Sequence, residues 1–481
     1  MKRRARPVLV VIIALAGVVT FAQATLDRSK APAPGTPPML RVPAWTRSTL
    51  TNGAELVVSE KHDLPLVSFT ITMSGGYNQA DPAARRGLAD ITAAMMSEGT
   101  RTRDGEALSN ALQLLGTTVT IRIGGESGTV AFQCIAGKLP ATLDIVADML
   151  VNPSFPAEAL ERLRAQRLVA LTQARDQTSG IASRMFPRLV YGNAHPYGQN
   201  VTEDTFKAIT REDVIAFHRA YFRPGHALVT VVGDVNTAAA KASIEKAFAA
   251  WPRGGEKPAF QYPMLPASRP STIYLADKPG AAQSTFAIGT AGPPRSTPDY
   301  YALQVMNTML GGMFQSRLNA NIREEKGYSY GVGSSFAFGK GPGAFRAGGD
   351  VVSIKSDAAL MEFMKELRGI RGERPITGEE LTTAKDALIQ RLPGTFASAQ
   401  SINNAIVSLW TQGLPDDYYQ QYAARIAAIR REDVLRVARQ YVDVDHLVIV
   451  IVGDRATIEA PLRATGVADV AITDIEGRTD P

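Results

Sequence analysis

Short segments that alternate apolar and polar residues occur in two groups along the chain, and helically spaced stretches follow each group. Residues 54–59 (Ala-Glu-Leu-Val-Val-Ser) and 66–74 (Leu-Val-Ser-Phe-Thr-Ile-Thr-Met-Ser) predict strands, the second with clean period-2 alternation. Helices are expected over 87–97 and 108–115. Residues 118–123 and 127–135 predict a hairpin across Gly124-Gly125-Glu126. A helix over 139–150 follows, and Phe155-Pro156 opens a longer one from Glu158 to about Ala174. The order then returns. A strand is expected over 284–290, helices over 300–310 and 315–325, and strands starting at Tyr328 and Gly343. Helices over 357–368, 377–390 and 398–410 complete the second set. Strands and helices come in separate runs, which predicts an α+β fold in two domains, each a mainly antiparallel sheet with helices packed on one face.

The two sets are copies. Residues 211–234 align without gaps on 431–454 at an offset of 220 residues, with ten of 24 positions identical. Each copy begins Arg-Glu-Asp-Val, runs as a helix to Tyr221 or Tyr441, and ends in an apolar strand closed by Gly-Asp. An internal duplication predicts a first domain over 46–251, a linker over 252–270 rich in Pro and Gly, a second domain over 271–470 and a tail over 471–481.

One helix–strand junction carries candidate chemistry. Arg323 falls in the last turn of a predicted helix, and Gly327 is placed to end it in a left-handed conformation. From there Tyr328, Tyr330, Val332, Ser334 and Phe336 are expected on one strand face, with Ser329, Gly331, Gly333 and Ser335 on the other. A guanidinium and a phenol at such a junction can both face a cleft. Arginine near a helix C-terminus and tyrosine in a strand are also ordinary structural choices.

Composition narrows the function class. Hydrophobic residues make up 45% and charged residues 20%, as in ordinary globular proteins. The net charge of +6 is concentrated at the start, where Lys2, Arg3, Arg4 and Arg6 precede an apolar run from Val8 to Phe21 and Ala22-Gln23-Ala24. That is the layout of a signal peptide over 1–24, followed by a flexible lead-in over 25–45. The chain is therefore expected to be exported and periplasmic, or anchored if the segment is retained. Without residues 1–24, 48 basic residues face 46 acidic ones, a net of +2, which points away from nucleic acid. The lone cysteine, Cys134, sits in an apolar run and is expected to be buried filler. Of the five histidines (His62, His195, His218, His226, His446), no two are four residues apart.

Several short motifs in order resemble the pitrilysin/insulinase family of zinc peptidases, which includes the mitochondrial processing peptidases. They are Asn52-Gly-Ala-Glu-Leu, Ser74-Gly-Gly-Tyr, Gly87-Leu-Ala with Met95 to Thr100, Asn152-Pro-Ser-Phe-Pro, His195-Pro-Tyr-Gly, the two Val-Gly-Asp strands and Arg323 to Gly333. Active members carry H-x-x-E-H after the Gly-Leu-Ala, two histidines on one helix face for zinc with a glutamate as base. Here those positions hold Asp90, Ala93 and Ala94. The region of the family's third ligand reads Leu168-Val169-Ala170-Leu171, without a carboxylate. The resemblance therefore implies no metal bound by this chain.

The resemblance also implies what remains. The family completes its site with an Arg and a Tyr seven residues apart, supplied by a second domain, and the pattern falls on Arg323 and Tyr330. Tyr328, on the same expected face, and the Gly311-Gly312 pair are further candidates for substrate contact, although a glycine pair there also reads as a simple helix break. The function so implied is a non-zinc-binding subunit of a heterodimeric zinc endopeptidase, inactive alone. Its partner would be an H-x-x-E-H chain holding Zn, and its substrate an extended or unfolded peptide. The competing reading is a catalytically inactive scaffold or peptide-binding protein.

Overall fold

The computed structural model describes residues 40–255 and 259–479 of the chain, so the expected signal segment and residues 25–39 of the lead-in lie outside the described residues. Twelve strands among them form two six-stranded sheets. The first sheet contains β1 (Thr46–Thr49), β2 (Glu55–Glu60), β3 (Leu66–Ser74), β4 (Val119–Ile123), β5 (Ser127–Ile135) and β6 (Ala227–Gly233) in the order β1-β2-β6-β3-β5-β4. The second contains β7 (Thr272–Asp277), β8 (Gln283–Ala291), β9 (Ser329–Phe336), β10 (Ala344–Val352), β11 (Val448–Gly453) and β12 (Asp469–Thr473) in the order β12-β7-β11-β8-β10-β9.

The duplication covers five strands of each sheet. β2-β6 and β7-β11 are the parallel pairs at equivalent places, and the remaining central pairs are antiparallel in both sheets. The sixth strand fills the same slot from opposite ends of the chain. β1 comes first among the strands and runs antiparallel to β2, whereas β12 comes last and runs parallel to β7. The domain boundary expected at 470 therefore falls inside a strand, and residues 471–473 belong to the second sheet rather than to a tail. Beyond it Glu476 is buried and paired with Arg175 and Arg184 of the first half, at 3.0 and 3.1 Å.

Each sheet buries one face under helices of its own half. In the first, Leu56, Val58, Val67, Phe69, Ile71 and Met73 meet the helices Leu88–Met95, Leu139–Val151 and Thr237–Ala247 in one core. The opposite face is covered by a helix from the other half, which strand alternation alone does not reveal. Helix Thr178–Tyr191 lays Ile181, Met185, Phe186 and Val190 on Ala276, Ala287, Val450 and Val452 of the second sheet. These side chains recur one helical turn apart, and each contributes about 1.5–3 kcal/mol when removed from water.

In return, helix Ala399–Gln412 packs across β3 and β6 of the first sheet. It starts at Ser398, whose hydroxyl accepts from the Ser401 N–H, and stops at Gly413 with φ +64°. The polar side of the alternating strand β3 is thus not solvated. Ser68, Thr70 and Thr72 are buried beneath this helix, where the Ser68 hydroxyl donates to Gln400 at 3.0 Å and fully buried Asn403 bonds both β3 and β6. Its amide donates to the Ser68 carbonyl at 3.1 Å and its oxygen accepts from Thr230 at 2.8 Å. The described residues from 41 onward form one compact unit.

Candidate functional site

Arg323 and Tyr330 lie on either side of a turn whose supports are buried. The helical segment begins at Arg317, which is 4% exposed and pairs with both oxygens of Glu380 at 2.8 and 2.9 Å. A planar fork matched to a carboxylate in this way fixes orientation as well as charge. Buried Asn321 donates to Glu362 and Glu366, both at 2.8 Å. Residues Ala320–Glu325 then widen into π-helical geometry, with the Lys326 N–H reaching the Asn321 carbonyl. The segment ends at Gly327, whose φ of +67° is the left-handed stop expected from the sequence.

The strand that follows is β9, an edge strand of the second sheet, paired only with β10. Asn319 ties it to the helix: its oxygen accepts from the Val332 N–H at 3.3 Å while its nitrogen donates to the Phe314 carbonyl at 2.9 Å. The pairing with β10 slips between Gly349 and Val351, so Tyr330 and Gly331 bulge opposite Asp350. A bulge re-aims the side chains around it, and this one overturns the expected single face. Val332 is buried at 8% exposure, whereas Tyr330 is 90% exposed. Ser329 closes the bulge by donating to the Asp350 carbonyl at 2.5 Å and accepting from the Gly331 N–H at 3.0 Å.

The candidates now separate. Arg323 lies over the ring of Phe314 at 4.5 Å, and its Nε pairs with Glu324 at 3.3 Å. Phe314 is itself half-exposed, so sequence reasoning had no reason to single it out as the rest for this guanidinium. Tyr328 is half-buried with Lys355 5.9 Å from its ring centre, and its carbonyl accepts from the Val352 N–H. Tyr330 alone presents its phenol to solvent. No hydrogen bond or ring contact among the described residues links Arg323 to Tyr330. Gly311 and Gly312 pack against the fold: a side chain on Gly311 would collide with the Ser334 backbone, and one on Gly312 would press on Asn307 at 3.1 Å.

Of the positions that correspond to zinc ligands in active members of the resembled family, Asp90 is held in an ion pair and Ala94 has no ligating group. Helix Leu88–Met95 starts at Gly87, and Asp81 holds that start by accepting from the Gly87 and Ala89 N–H groups, each at 2.8 Å. Burial outweighs these bonds and the neighbouring Arg86, and lifts the Asp81 carboxyl to about 6. Asp90 receives Nε and Nη2 of Arg167, from the long helix Ala157–Asp176, at 2.5 and 3.2 Å. A guanidinium thus supplies the positive charge next to the carboxylate. Ala93 is buried in the core, Leu171 is buried, and Val169 is exposed. These residues do not fit a zinc ion, which is held mostly by imidazole, thiolate or several carboxylates.

Among the described residues no group of three or more His, Cys, Asp or Glu could hold a metal ion. His62 pairs with Asp234 and His446 with Asp443, each at 2.8 Å. His218 and His226 bond the carbonyls of Leu150 and Tyr221. Fully buried His195 stacks on Tyr191 and Tyr262, with its proton affinity lowered by burial. Cys134 is 2% exposed and its thiol is pushed up to about 11 by burial, which leaves it inert as a nucleophile.

Comparison with known proteins follows the same outline. Residues 56–195 match the model of the insulinase family (peptidase family M16), and residues 208–388 match the peptidase M16 inactive domain. An uncharacterized zinc protease of Streptomyces coelicolor is 25% identical over 404 residues, covering 82% of this chain and 86% of the relative. A non-peptidase homolog of Helicobacter pylori is 21% identical over 402 residues, 83% and 92% of the two chains. Among solved structures, a peptidase M16 inactive domain from Pseudomonas fluorescens superposes with a TM-score of 0.78 at 24% identity, covering 85% of this chain and 98% of its own. A protease from Helicobacter pylori gives 0.75 at 20% identity, with 85% and 99% covered. At these identities the two structures speak to the fold.

Proposed function

Because the chain belongs to the M16 (insulinase) peptidase family, we propose that it is the metal-free subunit of an exported, two-chain zinc endopeptidase of the periplasm. In this reading it contributes Arg323 and Tyr330 to a reaction whose zinc and water are held by an H-x-x-E-H partner. One contrast carries the reading. The helix Leu88–Met95 carries Asp90, tied to Arg167, with Ala93 and Ala94 in place of a ligand set, while Tyr330 has a bulged, exposed place on an open sheet edge.

The chain's own residues define its part in the chemistry. An extended peptide adds along an open edge through main-chain hydrogen bonds. The Tyr330 hydroxyl donates to the oxygen that gains charge at the scissile carbonyl, or to the adjoining backbone. Arg323, stacked on Phe314, presents its planar donors to a substrate carbonyl. Loss of one such donor weakens transition-state binding by about 2.7–4 kcal/mol, roughly a hundredfold or more in rate.

The test mixes the purified chain with its H-x-x-E-H partner and follows cleavage of an unstructured peptide. Cleavage should require both chains, and Tyr330→Phe should lower kcat by about a hundredfold with association unchanged. Equal rates for wild type and Tyr330→Phe would remove the proposed role. The Helicobacter pylori relative that is named a non-peptidase homolog favours a second reading, a scaffold or peptide-binding protein. That reading predicts stable association with a partner and no zinc-dependent hydrolysis from the pair.

A further inference from the structure

A cavity of about 370 Å³ in the second half lies among residues that the proposed reaction leaves unused. Its frame is a stack: the Arg295 guanidinium lies 3.4 Å from the ring centre of Tyr300 and 5.4 Å from that of Tyr418. Gln412, at the end of the helix Ala399–Gln412, and Arg391, at the exposed rim, also line it, as does Tyr422. Two buried polar atoms of this lining have no partner in the fold, Nη2 of Arg295 and Oε1 of Gln412. Unpaired buried donors and acceptors are rare in folded proteins because each has given up water for nothing. Here one of each borders a single space.

Charge gives the ligand's sign. Arg295 and Arg391 both line the cavity, and no Asp or Glu is among the described residues that do. Three carboxylates close in sequence are engaged elsewhere, Asp299 with Arg436 at 2.6 Å and Tyr441 at 2.9 Å, Asp416 with Arg47, and Asp417 with Gln421. A smaller hollow that shares Arg295, Tyr300 and Tyr418 adds Arg425, again without a carboxylate in its described lining. Burial pushes the phenols of Tyr418 and Tyr422 upward, so both stay neutral and can donate at ordinary pH. The volume lies at the low end for ligand sites, which suits a small molecule or one residue of a larger one. The guanidinium edge matches two oxygens in a plane, and the tyrosine rings, which meet edge to face, match a flat apolar group.

The geometry points to a binding site for a carboxylate joined to a planar apolar group, held by Arg295 and Arg391 with the flat part against the tyrosines. Such chemistry is shared by free aromatic acids and by the C-terminal residue of a peptide ending in an aromatic side chain. Where the ligand is a peptide end, its backbone N–H can donate to the Gln412 oxygen.

Calorimetric titration of the whole chain with phenylacetate should give saturable binding of one molecule, and phenylacetamide, which lacks the charge, should bind at least about tenfold more weakly. Arg295→Met should lose at least about tenfold, and Arg391→Met a smaller factor, with circular dichroism confirming the fold. If Arg295→Met does not fold, the rim substitution Arg391→Met decides. A short peptide ending in phenylalanine that binds more tightly than phenylacetate, and loses this when amidated, assigns the site to peptide ends; weaker peptide binding assigns it to free acids. The proposal is overturned if millimolar phenylacetate gives no saturable binding, if phenylacetamide binds equally well, or if both arginine variants bind like wild type. None of these readings depends on the partner chain or on hydrolysis.

Discussion

Asp81 pays a solvation penalty to hold a helix start. Its carboxylate accepts two backbone N–H groups beside Arg86, yet burial dominates and raises it to about 6. The sign follows from proton binding. A folded-state value above the ordinary one near 4 means that the folded chain takes up a proton between about pH 4 and about 6. The stability from this group is fully present below that window and is lost as pH rises through about 6. Chemical denaturation across the window should show a slope of up to about 1.4 kcal/mol per pH unit from one proton, and Asp81→Asn should abolish that component. An unchanged slope in the variant would assign the titration elsewhere. Asp90, on the same helix, lies half-exposed against Arg167, and a pair so open to solvent is worth about 1 kcal/mol or less. Its importance is chemical: a side chain where a metal ligand would stand is already committed to a cation of the chain's own.

The helix–turn–strand from Arg317 to Phe336 depends on close backbone approach. The Gly311 carbonyl oxygen would lie 2.8 Å from a methyl on Gly333, and a methyl on Gly311 would strike the Ser334 nitrogen. Gly311→Ala should therefore destabilise the fold by about 1–3 kcal/mol, read as a lower urea midpoint. A variant as stable as wild type would show that this contact gives way. The strands and the Gly327 stop were legible in the sequence because period-2 alternation and a left-handed glycine are local signals. The bulge was not. It arises where Gly349, at φ +155°, skips register against Val332 and Ser329, two segments remote in sequence. Hence the expected common face of Tyr330 and Val332 failed although both residues lie in the strand. The outer strands were hidden for a different reason. β1 (Thr-Arg-Ser-Thr) is exposed throughout and carries no apolar pattern, so only pairing with β2 reveals it.

At the scale of the whole molecule, the exchanged helices make the two halves one cooperative body. An amphipathic stripe such as Ile181, Met185 and Phe186 says that a helix is buried, but not on which sheet, so the exchange was invisible in the pattern. Phe186 is 5% exposed between its own helix and the second sheet. Phe186→Ala should cost about 3–5 kcal/mol and lower a single thermal transition as a whole. Two transitions, with only one displaced, would mean that the halves unfold separately. The chain ends have a quieter consequence. β1 and β12 each add a strand at one border of a sheet, so the borders of the two sheets are β1 and β4 in the first and β12 and β9 in the second. An open border invites a second copy of the same protein as readily as a short guest segment. β4 meets that hazard with outward Thr120 and Arg122, and β9 with its bulge and the glycines Gly331 and Gly333. The bulge breaks the regular ladder at one point of the β9 border, which works against edge-to-edge pairing with another copy when the protein is concentrated.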